Sequence, residues 1–174
     1  VFHAASLVEV DFAGDGPPAR VGGADFSWAH LDHTSLDAPT LEGNSFRGAS
    51  LRWSSVPSAR NLDLTGASLV GAQVGSVEED SGGAIYFSAA IDEADLSGAW
   101  IRGLRPDAGA RSLRARRARV DQANLYGRWA DVDFSGACFG PGVNFSSPDF
   151  TGARLAGVQF GQRSGSTSVN LAGA

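Results

Sequence analysis

Four groups of residues in this chain have side chains able to bind or react: a histidine–aspartate run, an acidic triplet, an arginine cluster and the tryptophans. His30, Asp32 and His33 form an H-x-D-H run, residue types that ligate metals and move protons. A metal needs several ligands converging on one point, and the remaining histidine, His3, is far away in sequence. The run therefore reads as solvated side chains, and neither a metal site nor a catalytic residue is expected. Glu78, Glu79 and Asp80 form an acidic triplet within GSVEEDSGG. Its carboxylates are contiguous, not spaced like the oxygen ligands of a calcium loop, so it is a solvated or partner-contacting loop. Arg111, Arg114, Arg116, Arg117 and Arg119 make the strongest basic patch. Such guanidiniums either pair with a partner's carboxylates or phosphates, or lie on a solvated face with their stems over apolar surface.

These groups have to be held by some framework, and the sequence shows it as a period of five. From Ala24 the chain reads ADFSW, AHLDH, TSLDA, PTLEG, NSFRG, ASLRW, SSVPS. The large apolar centres are Phe26, Leu31, Leu36, Leu41, Phe46, Leu51 and Val56, with Ala24, Ala29 and Ala49 among the small residues two places earlier. The pattern returns at Leu69, Leu96, Leu125, Phe134, Phe139, Phe150 and Leu155. Five matches neither the helical 3.6 nor the strand 2.0, so a straight element cannot keep these centres on one side. The chain must turn a corner every five residues, and self-similarity of fixed period marks a solenoid.

The motif resembles that of the pentapeptide repeat proteins, whose consensus is roughly A-(D/N)-(L/F)-x-x, and the resemblance covers most of the chain. It implies an all-β fold, a right-handed quadrilateral β-helix with one repeat per side and four repeats per coil. About eight such coils, interrupted by loop insertions, would use up the chain. The central residue and the small residue two before it then point inward, and the other three face water. Residues four repeats apart should stack, which places Phe26 against Phe46, Leu31 against Leu51 and Leu36 against Val56. On the outside Asp32 falls beside Arg52 as a surface ion pair, and His33 beside Trp53 as an amphipathic patch. Trp28, Trp53, Trp100 and Trp129 fall mostly at outward or corner positions, as binding anchors or as surfaces covered by loops. Cys138 is expected to be an exposed thiol.

The repeat breaks at several places. GDGPPAR before the Phe26 centre, a phase slip near Pro57, GSVEEDSGG after Val74 and GLRPDAGARS after Ile101 read as insertions. LRARRARVDQ is a weak stretch without clear centres, and single-residue irregularities fall near positions 128–132 and 141–142. The loops at 76–83 and 104–112 are the most distinctive, since loops on a rigid solenoid are where recognition collects. Both ends read as trimmed inside a repeat, so residues 1–174 are taken as one β-helix domain.

Composition narrows the function. The 19 acidic residues outnumber 14 basic ones, all arginine, for a net charge of −5. That argues against nucleic acid as a direct partner. No apolar run is long enough to span a membrane, so none is expected, and the chain is assigned to the cytoplasm. A single cysteine excludes an intrachain disulfide framework. No phosphate-binding glycine motif, nucleotide fingerprint or Ser-His-Asp arrangement is present, so no cofactor is expected.

Two readings of function follow. In the first the chain is a non-enzymatic interaction scaffold. The resemblance adds a narrower version, a DNA mimic that binds and protects DNA gyrase or topoisomerase IV through its acidic face and the loop at Glu78, Glu79 and Asp80. Relative to the loop-bearing quinolone-resistance members, this chain has a milder negative charge, interrupted by the arginine cluster. The second reading is an enzyme, or a repeat domain attached to one, with a loop-lined site around the Trp/His patch or residues 76–112. The interaction residues expected are Glu78, Glu79, Asp80, His33, Trp53, Arg114, Arg116 and Arg117, and the oligomeric state is left open.

Overall fold

In the computed structural model, residues 1–7, 9, 20–36, 40–56, 61–75, 87–106, 109–161 and 174 are described. Among them there is no helix, hence none long and apolar enough to cross a membrane, and every named strand pairing is parallel. The chain winds as a β-solenoid. We number its sides by the centres at Phe26, Leu31, Leu36 and Leu41 as sides 1 to 4.

Side 2 carries an unbroken ladder of backbone bridges through Ser6, His30, Ser50, Ser68, Asp95, Arg114, Asp133 and Arg154. Eight passes of chain therefore lie side by side among the described residues, and their unequal intervals show coils of unequal length. Side 3 forms a six-stranded sheet of Ser55–Val56, Gln73–Val74, Trp100–Arg102, Arg119–Asp121, Cys138–Phe139 and Gln159–Phe160. The unequal lengths have a single origin. The interval from the side 1 centre to the side 3 centre is the same in every coil from Phe26 onward: 26 to 36, 46 to 56, 64 to 74, 91 to 101, 110 to 120, 129 to 139 and 150 to 160. All variation lies between side 3 and the next side 1.

The interior is one continuous apolar column containing Phe26, Leu31, Leu36, Leu41, Phe46, Leu51, Leu69, Leu96, Leu125, Phe134, Phe139 and Phe150, each at most 2% exposed. Leu155 is only half-buried because it lies on the last described coil. The expected stacking register is present: Phe26 and Phe46 stack with ring centroids 4.9 Å apart, and Ser35 bridges Ser55 beside the Leu36 and Val56 centres.

Three expectations need correction. Residues 104–112 are not a projecting loop. Leu104–Pro106 and Gly109–Arg111 are strands, and Leu104 and Ala110 are interior; only 107–108 lie outside the described residues. Gly109, at φ 102°, lies so close to the Arg128 backbone that an added Cβ would collide with its carbonyl oxygen. The weak stretch at 113–122 holds two regular sides, the first with its sizes inverted: Ala115 takes the centre and Leu113 the small slot, both buried, while Val120 and Ala118 keep the usual order. Trp129 does not face outward. It is wholly buried at the side 1 centre beside Ala110, where its bulk fills room the alanine leaves, and its Nε1 donates to the Tyr126 carbonyl at 3.0 Å.

Corners fall two residues after each centre, in the left-handed backbone region. Trp28 (φ 62°) and Trp53 (φ 59°) occupy such corners, and their indoles lie flat over Gly48 and Gly71 of the following coil. A Cβ at Gly71 would collide with the Trp53 ring.

Two stability outcomes follow from this packing. Phe46→Ala empties an interior site between Phe26 and Leu64 and should cost roughly 3–5 kcal/mol in chemical denaturation; a loss under about 1 kcal/mol would place Phe46 outside the core. Gly71→Ala should cost on the order of 1 kcal/mol or more, since φ is positive and the indole is in the way. Part of that loss should be recovered in Gly71→Ala/Trp53→Ala, and strictly additive losses would separate the two residues.

Candidate interaction face

Side 2 has three outward columns: the ladder residue just before each centre, the residue just after it, and the corner. Trp28 lies at its leading edge and Trp53 at its trailing edge, 58% and 59% exposed. His30 and His33 are exposed on the same side, His33 at the corner (φ 58°) equivalent to that of Trp53. The expected Asp32–Arg52 ion pair is not formed. Asp32 Oδ1 instead accepts the Ser50 hydroxyl at 2.5 Å and the Arg52 backbone N–H at 2.9 Å, because that N–H lies directly above it in the stack. The H-x-D-H run thus does not gather into a ligand set. Among the described residues no group of three His, Cys, Asp or Glu could hold a metal.

Toward the other end of the side, the ladder residues are Asp95, Arg114, Asp133 and Arg154, alternating in sign. Arg116 stands just after the Ala115 centre and Arg117 at the corner. All four arginines are exposed, and they surround Asp133, which is 7% exposed. Arg116 Nε donates to Asp133 Oδ2 at 2.6 Å, while Asp133 Oδ1 accepts the Ser135 backbone N–H at 3.0 Å. Burial pushes the Asp133 carboxyl upward, but the Ser135 hydrogen bonds and the Arg116 guanidinium outweigh it and hold its pKa at about 2. The guanidiniums of Arg114, Arg117 and Arg154 make no hydrogen bond or ion pair among the described residues. Together with Ser97 and Ser135, Arg116, Arg117, Asp133 and Arg154 line a groove of about 680 Å³.

Five of the expected interaction residues, His33, Trp53, Arg114, Arg116 and Arg117, therefore share one side of the rod. The other three, Glu78, Glu79 and Asp80, lie outside the described residues. Arg154 and Asp133 were missed in the sequence. The signal for Arg154 was available, since the interval from Arg114 to Arg154 is two full coils of four repeats each.

Side 3 holds a second polar cluster that the sequence did not suggest. Trp100 Nε1 and Arg119 Nε both donate to Asp121 Oδ2 at 2.8 Å, and the Arg102 and Arg119 guanidiniums lie 5.1 and 5.2 Å from the Trp100 ring centroid. Asp121 is 2% exposed and occupies the space a Gly140 side chain would need, so the cluster braces the sheet. Cys138, expected to be exposed, is half-buried because it stands in the same column between Arg119 and Gln159.

Five-residue sides, four to a coil, with small and large residues alternating inward, define the architecture. The chain is a β-solenoid built of five-residue repeats. Comparison with family models and with the sequences of characterised proteins finds no match. Among solved structures, this solenoid is similar to HetL, a pentapeptide repeat protein involved in heterocyst differentiation regulation from the cyanobacterium Nostoc. Identity is 17%, covering 95% of this chain and 86% of that one, with TM-score 0.31. It is also similar to QnrB1, a plasmid-mediated fluoroquinolone resistance protein, at 16% identity over 89% of this chain and 91% of that one, TM-score 0.37. A third is a pentapeptide repeat protein of the Arabidopsis thaliana thylakoid lumen, at 22% identity over 79% and 69% of the two chains, TM-score 0.24.

The Asp133 arrangement sets a pH dependence. Its folded pKa of about 2 lies below the ordinary value of 3.8, so its contribution to stability is present above about pH 4 and is lost as pH falls toward 2. The stability gap between the wild type and Asp133→Asn in urea titrations should hold steady from pH 7 to 5 and shrink below pH 4. A gap that does not change down to pH 2.5 would remove the linkage.

Proposed function

We propose that the protein is a non-catalytic protein-binding scaffold whose working surface is side 2. The observation that carries this is the gathering on one flat side of two exposed indoles, Trp28 and Trp53, with three guanidiniums unpaired among the described residues. Tryptophan and arginine are among the residues most often found as energetic anchors of protein interfaces. The rows between the two groups carry Ser68 and Val70, then Asp95 and Ser97. The titratable group of the groove supports binding over proton transfer, because a carboxyl held near 2 is a poor base at neutral pH.

The narrower reading, a DNA mimic for DNA gyrase or topoisomerase IV, rests on the net charge of −5 and on the acidic loop at Glu78, Glu79 and Asp80. Mimicry would have to use another side, since the arginine rows of side 2 would repel a basic DNA-binding saddle.

The test is site-specific photocrosslinking in lysate of the source organism, with the reactive group at Val70 on side 2 or at Glu42 on side 4. A discrete adduct is expected from Val70 and not from Glu42, and it should be lost in Trp28→Ser/Trp53→Ser. Equal adducts from both positions, or adducts from Glu42 alone, would overturn the assignment of the face. Quinolone-protected supercoiling by purified gyrase, abolished on deleting residues 77–82, would instead establish the narrower reading.

A further inference from the structure

We infer that the arginine groove at the far end of side 2 binds an extended acidic peptide segment carrying carboxylates three residues apart. This rests on the reading of side 2 as a protein-binding face and names the chemistry of what occupies one end of it.

The spacing comes from the ladder. Arg114 and Arg154 stand in one column with Asp133 between them, two rungs apart. At about 4.8 Å per rung their backbones are roughly 10 Å apart. A peptide in the extended polyproline II conformation has three residues per turn and rises about 3.1 Å per residue, so side chains at i and i+3 lie on one face roughly 9 Å apart, nearly the same distance. Arg117 stands at the corner of the Arg114 row and reaches the groove from its side. The geometry therefore offers Arg154 and Arg114 along the axis, Arg114 in an adjoining pocket of about 380 Å³ that Arg116 and Arg154 also line, and Arg117 across it.

Charge decides in favour of carboxylates on a peptide over a nucleic acid backbone. Arg114, Arg116, Arg117 and Arg154 set against Asp131 and Asp133 leave a local excess of two positive charges, on a chain of net charge −5. A phosphodiester strand following the side would meet Asp95 one rung beyond Arg114, and Asp32 further along the same side. A short segment touches only the island. Asp133 is spent on Arg116 at 2.6 Å, which fixes that guanidinium and leaves Arg114, Arg117 and Arg154 to the incoming carboxylates. Arginine suits this role because its planar fork meets a carboxylate through two parallel hydrogen bonds. The Ser97 and Ser135 side chains lie on the same groove wall, where their hydroxyls can meet the backbone of the segment.

The experiment uses the full chain and a fluorescein-labelled peptide with the pattern Glu-x-x-Glu in a glycine–serine background, measured by anisotropy at low salt. Binding is expected, weakening steeply as salt rises because exposed charges are screened. The peptide with glutamines at the same two positions should not bind, and one with Glu-x-Glu spacing should bind more weakly. Each of Arg117→Gln and Arg154→Gln should weaken binding about tenfold, the loss expected for one charged hydrogen-bonded contact. Arg47→Gln, which removes the same charge from side 1, should leave it unchanged. Circular dichroism of each variant separates loss of the groove from loss of fold. No binding of the Glu-x-x-Glu peptide, binding insensitive to the arginine substitutions, or tighter binding of a single-stranded DNA oligomer of equal charge would each overturn the proposal. A Val70 crosslink that survives Arg117→Gln/Arg154→Gln, alongside no peptide binding, would sink the groove and leave the side 2 scaffold intact.

Discussion

The chain has to turn through roughly a right angle every five residues, and it does so by placing the residue two after each centre at positive φ. Among the described residues 14 glycines and 12 others have positive φ, including Trp28, His33, Trp53, Glu93, Arg117 and Asp131. For a residue with a side chain this is a strained choice, worth on the order of 1 kcal/mol or more. What offsets it is the direction in which it sends the backbone. The corner N–H groups of Trp28, His33, Trp53, Gly71, Gly98, Arg117 and Gly136 each donate to a carbonyl of the next coil at 2.7–3.0 Å. The corner therefore belongs to the ladder. Straight five-residue sides, the inward column and the outward rows are all consequences of that one local geometry.

A second constraint concerns the acidic residues. Asp25, Asp63, Asp95, Asp133 and Asp149 each accept the backbone N–H of the residue two places on, at 2.9–3.0 Å. In this repeat an aspartate just before the centre is a corner brace, as expected of a side chain that mimics a turn. Part of the negative charge is thus committed to local structure, whereas Arg114, Arg117 and Arg154 on side 2 are unpaired among the described residues. Net charge alone misjudges which groups are available to a partner.

The period, the inward centres and the register of the first coils were legible in the sequence, because large residues recur every five places from Phe26 to Val56 without interruption. Two kinds of information were not legible. Where sizes invert, as at Leu113 and Ala115, both residues are interior but the pattern of large centres vanishes, so a regular coil reads as a weak stretch. Likewise Trp129 looks like a surface residue until the bulge after Tyr126 brings it to the centre. The placing of Asp133 between Arg114 and Arg154 depends on a coil one residue short of four repeats followed by a coil one residue over, and a uniform period aligns the two arginines but not the aspartate. His33 and Trp53 were placed correctly because they fall in an even stretch.

The confinement of length variation to the stretch between side 3 and side 1 has a consequence for how such a chain changes over time. A residue added or lost there changes the length of one coil and leaves every row of side 2 opposite its neighbours. The interval from Ser68 to Asp95 is the longest of the ladder and the one before it, from Ser50 to Ser68, is the shortest, yet the ladder through both is continuous. Insertion and substitution thus act on separate parts of the molecule, the back absorbing drift in length while the front changes one side chain at a time. The same property makes the back of the rod a natural place to graft a foreign segment without altering what the front presents.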